Sequence, residues 1–534
     1  MKFNKNSLIL VLLAFSALPL CAQKVDENEL KTTGSDNIVF INYTGPHSKI
    51  DSLSSIKKIG SDMGDVIKAN KEESSKAGYS QKYSVIHAID KNEKGKLDAD
   101  IILIGKDATV DHITNLRHII ASYLQASYGY SESDAETIAV FVTVYNAVYR
   151  QNLTQFQNKY KNIVTKNLTK NECGLSVSYK DWPGSSQIVI PLYDVNGGIS
   201  TIDTSVISDT EVVKHMQEDD GKNIDDRKQM VDIKEREADK AQKEAQDAKK
   251  QATQEKQKLT EEKKKTEEAK KEAEDAKKKA EENPDDKKAQ EEAEEAEKAY
   301  EEQKQIEKEQ EETVREYEET ARDSQTRADK KNDEAQTERK TIASDQQEVI
   351  QKEIENARAP SAYAIRLTDE SNLLSGLVKV NTETGEVIQA SPVTYIRNRT
   401  MFQANDSFIA IAGENSGLGA VKLVLLSPET MEISKESEEI VAEESVLVQD
   451  NGEYYCIIQN GEDWVVGKYD SDLNLKLKST ATANQSTPMT ITSDYVIVSA
   501  PNGYVRILKK SDLTEVASSS AGYFYSAPSS ADAK

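Results

Sequence analysis

The sequence predicts a multidomain α+β protein: a mixed α/β N-terminal domain, a long charged helical segment, and a C-terminal all-β domain of propeller-like repeats. Three observations carry this prediction. Residues 23–215 alternate strand-type and helix-type apolar patterns, residues 216–358 consist mainly of Glu, Lys, Ala and Gln, and residues 359–534 are rich in β-branched residues and in Gly, Asn and Asp turns. A chain of 534 residues is long enough to form several separate cores.

Residues 1–22 have the pattern of a signal peptide. Lys2 and Lys5 precede a short apolar run, Leu8 to Leu20, which is shorter than the ~20 residues that a membrane-spanning helix needs. Cleavage after Ala22 fits this pattern, whereas a lipid anchor on Cys21 fits less well, because a bulky Leu stands where a small residue is usual. We therefore expect an exported protein, periplasmic or associated with the outer membrane, with exposure at the cell surface left open.

The formal net charge of −24 argues against binding to nucleic acid, because a protein that binds phosphates needs basic patches. It argues equally against docking on an anionic membrane surface. Apart from Cys21, the chain has two cysteines, Cys173 and Cys456, in different predicted domains. Two such thiols make neither a disulfide framework nor a thiolate metal site, so we expect both to be small core residues.

The N-terminal domain, residues 23–215, is predicted from six consecutive patterns. We expect a strand over 36–46, a helix over 51–69, a β-hairpin formed by 83–90 and 97–105, a helix over 110–128, a long helix over 133–160 that starts with a capping box from Ser133 to Glu136, and a second β-hairpin over 176–194. Together these elements describe a mixed α/β domain.

The helical segment, residues 216–358, repeats its alanines and larger apolar residues mostly every seven positions, as expected for a packed helical seam. The phase of this repeat slips at Pro284. Asn283 is a suitable N-cap and Pro284 suits a first helical turn, so we expect a turn at Asn283–Pro284 between two helices. A helical hairpin is the preferred interpretation, and one long kinked helix, stabilised by Glu–Lys pairs four residues apart, is the alternative. Either arrangement offers a seam for a homo-oligomer.

The C-terminal domain, residues 359–534, contains four similar stretches that start near Ala362, Asn405, Asn451 and Ser493, at spacings of 43, 46 and 42 residues. Each predicts three strands joined by polar turns, which is the period and texture of a β-propeller blade. Four units are fewer than the usual six to eight blades. A four-bladed ring, a partial propeller that dimerises and a stack resembling a β-sandwich all remain open.

Four stretches carry a resemblance to a known family: VFINYTGP at 39–46, ITNLRHIIASYL at 113–124, SDAETIAVFVTVYNAVYR at 133–150 and GLSVSYKDWPGSSQIVIPL at 174–192. In order and spacing they resemble the Borrelia 83/100-kilodalton antigen family of spirochaetes, over about residues 23–215. The resemblance implies an exported, envelope-associated antigen without a recognised catalytic motif. The C-terminal repeats depart from the best-known members, so the resemblance implies no role for them.

One loop imitates a calcium site. Asp90, Asn92 and Asp98 occupy positions one, three and nine of an EF-hand loop, but the twelfth position, which needs a bidentate Glu, is Ile101. The flanking segments are predicted strands rather than helices. A polar hairpin turn is therefore the better interpretation.

Other chemistry-bearing residues lack a supporting pattern. The five histidines, His47, His87, His112, His118 and His215, show no metal-ligand spacing, and no nucleophile or phosphate-binding motif is present. We expect no cofactor and no catalytic residue. Trp182, beside Pro183 and Gly184, is the candidate for a partner contact, although packing within a turn is the simpler interpretation.

These patterns favour a non-enzymatic exported envelope protein with an interaction or scaffolding role, in which two globular domains are spaced by a long helical segment and bind protein partners. The alternative is a module that binds a small ligand or a sugar in the C-terminal propeller-like domain. Enzymatic activity on the loops of those repeats is a third possibility, because one fold hosts many functions.

Overall fold

The computed structural model describes residues 38–46, 52–414 and 420–520. The predicted signal peptide, Cys21 and His47 lie outside the described residues. The described chain has a mixed α+β fold, in which a long helical segment follows a region with one β-sheet and precedes a region with three more. The coarse fold class predicted from the sequence is therefore confirmed.

The N-terminal region contains an antiparallel sheet in the order β1-β2-β3-β4. Its strands are β1 (Ser75–Tyr79), β2 (Tyr83–Ala88), β3 (Asp98–Ile104) and β4 (Ser186–Leu192). Its helices are α1 (Leu53–Ala69), α2 (Ile113–Tyr128), α3 (Glu132–Val148), α4 (Leu153–Lys159), α5 (Asn162–Thr165), α6 (Thr204–Ile207) and α7 (Thr210–Gln217). The predicted helix at 51–69 and the β2–β3 hairpin are confirmed.

Helix α1 packs on α2 at backbone distance. A Cβ added to Gly60 would lie 2.0 Å from the carbonyl oxygen of Ile119, and one added to Gly64 would lie 2.7 Å from the Cβ of Ala126. The glycines therefore allow an approach that any side chain would block. The apolar face of α1 is buried against this contact and the sheet, at helical spacing: Ile56, Ile59, Met63 and Ile67.

Three local predictions were wrong. Within the described part of the expected strand at 36–46, only one isolated bridge forms, between Ile41 and Ser178. The expected helix over 133–160 is broken between α3 and α4, because the Asn152 side chain accepts from the Gln155 N–H and caps a new helix. Of the second hairpin only β4 is a strand, since Gly184 adopts a positive φ of 74° after a 3-10 turn.

The helical segment consists of α8 (Ile224–Glu282) and α9 (Lys287–Arg358), which pack side by side as an antiparallel hairpin rather than one rod. The sequence pattern suggested that Asn283 caps α9, and this prediction was wrong. Asn283 ends α8, and the Asp286 carboxylate instead accepts from the Lys288 and Ala289 N–H groups at the start of α9. The turn therefore uses one side chain for each helix end.

The C-terminal region contains three antiparallel sheets. The first holds seven strands in the order β11-β10-β9-β8-β6-β5, with β7 paired to β6, and the others have the orders β12-β13-β14-β15 and β16-β17-β18-β19. The strands are β5 (Ser361–Asp369), β6 (Leu374–Asn381), β7 (Val387–Ala390), β8 (Ile396–Ala404), β9 (Ser407–Ala412), β10 (Lys422–Leu426), β11 (Ile433–Glu436), β12 (Val448–Asp450), β13 (Glu453–Asn460), β14 (Asp463–Tyr469), β15 (Leu475–Thr482), β16 (Thr490–Ile491), β17 (Tyr495–Ser499), β18 (Val505–Lys509) and β19 (Glu515–Ser518).

Each of the last three sequence units gains a strand at its start, namely β8, β12 and β16. The strands β12 and β16 have three and two residues, which is too short for a periodic pattern to reveal them. The first two units share the seven-stranded sheet through a single pairing, Ser375 with Ile396.

Neighbouring sheets share apolar cores. In β13 the alternate side chains of Tyr454, Cys456 and Ile458 join a core with the preceding sheet. The side chains of Tyr455 and Ile457, on the opposite face of the strand, join a core with the following sheet. The middle sheet is therefore covered on both faces.

Candidate functional site

The outer part of the helical hairpin, residues 253–320, projects as an arm. Every hydrogen bond and ion pair that the structure gives for this stretch joins residues of the two helices or of the turn to each other. The α8 half of the arm has 30 residues and is therefore ~45 Å long at 1.5 Å per residue. The arm thus extends the molecule and adds little to its apolar core.

Side-chain bonds between the two helices of the arm repeat every seven residues. Gln310 donates to Glu255 at 2.7 Å, and one heptad further out Gln303 donates to Glu262 at 2.6 Å. The same advance of seven relates the ion pairs Lys256–Glu318 at 2.5 Å and Lys263–Glu311 at 2.8 Å. The two helices therefore run antiparallel in one constant register.

The two helices of the arm differ in charge. Residues 253–282 contain ten acidic and ten basic side chains, whereas residues 287–320 contain fourteen acidic and six basic ones. Exposed charges of one sign over several turns create a field that extends about a Debye length, ~8–10 Å. One edge of the arm is therefore neutral and the other is strongly acidic.

Buried ion pairs close the hairpin at its base. Arg227 on α8 is fully buried, its Nε donates to Glu338 at 2.6 Å, and its Nη1 donates to Asp345 at 2.7 Å. Lys222 also reaches Asp345, at 3.1 Å. Removing a charge from water is costly unless its partners are in place, so these pairs fix the approach of the two helices.

The hairpin base is also attached to the N-terminal region. Arg236 makes two bonds to the Asp134 carboxylate, at 2.6 and 3.0 Å, and these bonds hold the pKa of Asp134 below its usual range. Thr137 on α3 donates to Gln229 on α8 at 2.6 Å. The arm therefore leaves the body in a fixed direction.

The N-terminal and C-terminal regions contact each other through three tyrosines, although the helical segment separates them in the sequence. The rings of Tyr43 and Tyr395 lie 5.5 Å apart, and the Tyr179 and Tyr395 hydroxyls lie 3.4 Å apart. Thr44 donates to the Pro392 carbonyl at 2.6 Å, and Lys180 pairs with Glu414 at 3.1 Å. Burial, and then the proximity of Tyr395, raise the pKa of Tyr43. Two of the stretches that carry the family resemblance thus build this junction.

The calcium-like loop is occupied by internal contacts. The Asp90 carboxylate accepts from the Asn92 N–H at 2.8 Å. One oxygen of Asp98 accepts from the Asp90 N–H at 2.8 Å, and the other pairs with Lys161 at 2.7 Å. A lysine ammonium at this carboxylate occupies the place that a cation would need, which favours the polar turn.

Trp182 offers no surface to a partner. Its side chain is fully buried, and its indole N–H donates to the Ser176 carbonyl at 2.7 Å. The candidate partner contact from the sequence therefore finds no support here, because the turn packs the indole inward. Cys173 and Cys456 are buried free thiols, as expected.

Sequence reasoning missed a buried polar network around His87. Nδ1 of His87 donates to Asp100 at 2.5 Å, Nε2 donates to the Lys71 carbonyl at 2.9 Å, and the Tyr123 and Tyr128 hydroxyls each donate to Asp100 at 2.6 Å. Burial alone lowers the pKa of His87, but Asp100 and the Lys71 carbonyl outweigh it and raise that pKa. All these polar atoms have partners, which makes the network structural.

The described ranges lack a cluster of potential metal ligands and an apolar helix of membrane-spanning length. In residues 38–46, 52–414 and 420–520, no three or more His, Cys, Asp or Glu side chains are grouped so as to hold a metal ion. Within the same ranges, no helix combines the length and the apolar character that crossing a membrane requires.

Comparison with known proteins identifies a family. Among solved structures the chain is similar to that of BamB from Moraxella catarrhalis, with 11% sequence identity and a TM-score of 0.19, over 27% of this chain and 57% of that one. None of the curated proteins matches. A family model described as Borrelia P83/100 protein matches residues 27–492, well beyond the N-terminal region that carried the resemblance. The chain belongs to the Borrelia P83/100 protein family.

Proposed function

We propose that this protein is a non-enzymatic, exported envelope scaffold whose helical arm holds a protein partner at a distance from the body. The observation that carries the proposal is that the described arm residues bond only to other residues of the hairpin, while the base of the arm is anchored by buried ion pairs. Because the two helices keep one register and the root is fixed, a partner bound to the arm is held at a defined distance from the body. The leader pattern of residues 1–22 supports export.

The acidic edge of the arm defines the chemistry of the partner. Residues 287–320 carry an excess of eight acidic side chains, so a partner with a basic surface is attracted and an acidic one is repelled. Such an association weakens with salt, because exposed charges are screened beyond about a Debye length.

The C-terminal region forms, in this proposal, an open propeller-like arc. Its units share cores pairwise, as consecutive blades do. Leu374, at the start of β6, and Tyr395, just before β8, belong to the apolar core of the N-terminal region. The body is then one block built from the described residues of 38–215 and 359–520, and residues 216–358 supply the arm.

The experiment shortens the arm without changing its register. Removing residues 263–276 and 293–306 together takes two facing heptad pairs out of the hairpin and shortens it by ~21 Å. The mature protein and this variant are used to capture partners from envelope extracts, and each captured protein is then purified and tested alone at low and high salt. Binding should be lost or moved in the shortened variant and should weaken with salt.

A matched control removes residues 263–276 only. This change leaves a stretch of α9 without its facing helix and so separates the effect of a shorter arm from that of a disrupted one. The proposal fails if the partners of the mature protein bind the shortened variant with unchanged affinity, since the contact surface would then lie on the body.

A further inference from the structure

A cavity of about 400 Å³ lies at the root of the arm. The loop after β4, helix α8 and helix α9 all contribute to its wall. Its charged side chains are three acids and three bases, namely Asp203, Glu237, Asp323, Arg327, Lys330 and Lys331. The cavity therefore combines both signs of charge with no formal excess of either.

Two polar side chains that line the cavity are nine-tenths buried and incompletely bonded. Glu237 is 3% exposed, and its Oε2 accepts from Thr204 at 2.6 Å and pairs with Lys331 at 2.8 Å, while its Oε1 has no partner in the described chain. The hydroxyl of Ser200, which is 7% exposed, likewise has none. Buried polar atoms are rarely left unbonded, so both atoms point to a missing polar molecule.

A cationic side chain, Arg327, lines the same cavity. The Arg327 guanidinium stacks on the Tyr193 ring at 4.9 Å and pairs with Glu244 through Nη2. Its Nε atom is buried and has no partner among the described residues. This N–H group requires an acceptor, whereas Glu237 Oε1 requires a donor.

We propose that this cavity binds a free α-amino acid. The ammonium group of the amino acid donates to Glu237 Oε1, its carboxylate accepts from Arg327 Nε, and the Ser200 hydroxyl bonds to either group. A simple anion would lie near three carboxylates and would leave Glu237 Oε1 without a donor. A simple cation would leave Arg327 Nε without an acceptor. A zwitterion satisfies both unpaired groups and matches the balanced charge of the wall.

The site goes beyond the scaffolding role, because it links the loop after β4 to both helices at the root of the arm. Ser200 belongs to the loop after β4, Glu237 to α8 and Arg327 to α9. A bound molecule that contacts all three stabilises their junction by mass action, so occupancy should raise the thermal stability of the whole protein.

The test uses the mature full-length protein and the twenty L-amino acids one at a time, followed by calorimetric titration and thermal melting. At least one amino acid should bind saturably and raise the melting temperature. Its methyl ester, which lacks the carboxylate, and its N-acetyl derivative, which lacks the ammonium group, should each bind at least tenfold more weakly.

Variants locate the site. Glu237→Gln should weaken binding at least tenfold. Glu334→Gln is the matched control, because Glu334 pairs with Lys234 at 2.8 Å in the same junction but does not line this cavity, and it should bind as the unmodified protein does. Ser200→Ala deletes a hydroxyl that bonds to nothing in the described chain, so it should fold normally and bind several-fold more weakly.

The proposal is overturned if the folded unmodified protein binds none of the twenty amino acids, or if the ester and the N-acetyl derivative bind as tightly as the parent. It is also overturned if Ser200→Ala and Glu237→Gln both bind normally. Should Glu237→Gln fail to fold, the Ser200→Ala titration decides.

Discussion

Arg227 and Asp345 are 118 positions apart in the sequence, yet Arg227 Nη1 donates to Asp345 Oδ2 across 2.7 Å. The arginine is fully buried and the aspartate is nearly so. Their bond joins the first turn of α8 to the last third of α9, and so closes the hairpin at its root. The direction of the arm depends on this contact and on its neighbour, Glu338.

Replacing Arg227 by Met should cost about 3–5 kcal/mol of unfolding free energy, because Glu338 and Asp345 would keep their charges in a poorly solvated place. Urea unfolding followed by helical circular dichroism measures the loss. Lys57→Met is the control, since Lys57 pairs with Glu132 at 2.6 Å on the exposed surface and should change stability by about 1 kcal/mol or less. Equal losses in the two variants would contradict the role of Arg227.

The His87 network predicts stability that falls as the pH rises. The pKa of His87 is raised in the folded state, whereas a histidine in an unfolded chain titrates near ~6.5. The folded state therefore holds the extra proton to higher pH. The stabilisation is fully present below ~6.5 and is lost as the pH rises through the raised pKa.

Urea unfolding of the mature protein and of His87→Gln, from roughly pH 5 to pH 9, tests this sign. The difference in unfolding free energy between the two proteins should shrink as the pH rises. A difference that stays constant or grows would show that His87 is not held as the imidazolium.

Gly60→Ala should destabilise the N-terminal region by about 1–3 kcal/mol or more, because the added Cβ meets the backbone of α2 and forces the helices apart. Gly221→Ala is the matched control, since nothing lies within 4 Å of a Cβ at Gly221. Thermal melting compares the two. If both variants melt alike, α1 and α2 do not pack as closely as the structure places them.

Tyr395→Ala should loosen the junction between the two ends of the chain. Losing a buried aromatic ring costs about 3–5 kcal/mol, and the hydroxyl contact with Tyr179 is lost with it. Hydrogen exchange should speed up at the Tyr43 amide, which bonds to the Asp111 carbonyl. Tyr495→Ala, at a 40% exposed ring, should leave that amide unchanged. If hydrogen exchange at the Tyr43 amide is unchanged in both variants, the packing of Tyr43 does not depend on Tyr395.

Local sequence patterns predicted the two helices of the hairpin better than the residues that end and cap those helices at the turn. The heptad repeat and Pro284 are encoded within a few turns, so a break at this position could be predicted from sequence. The choice between Asn283 and Asp286 as the cap depends on backbone geometry and could not. Likewise, Asn152 interrupts an apolar pattern that continues through Phe156, which is why the break between α3 and α4 was missed.

The candidate sites depend on contacts that the sequence does not record. Ser200, Glu237 and Arg327 come from three elements up to 127 positions apart, and no motif links them. Tyr43 and Tyr179 contact Tyr395 because the antiparallel hairpin brings the chain back to the N-terminal region. Trp182 and His87 owe their burial to tertiary packing, which the local sequence does not record.

The proposed scaffold role requires residues 253–320 to form a rigid antiparallel arm. Spin labels at Gln251 and Glu316, in a mature protein whose two buried cysteines are replaced, measure this by pulsed EPR. The hairpin predicts one narrow distance distribution near ~20 Å, about two helix diameters. A separation near ~98 Å, the length of 65 helical residues, or a broad distribution would contradict a rigid hairpin.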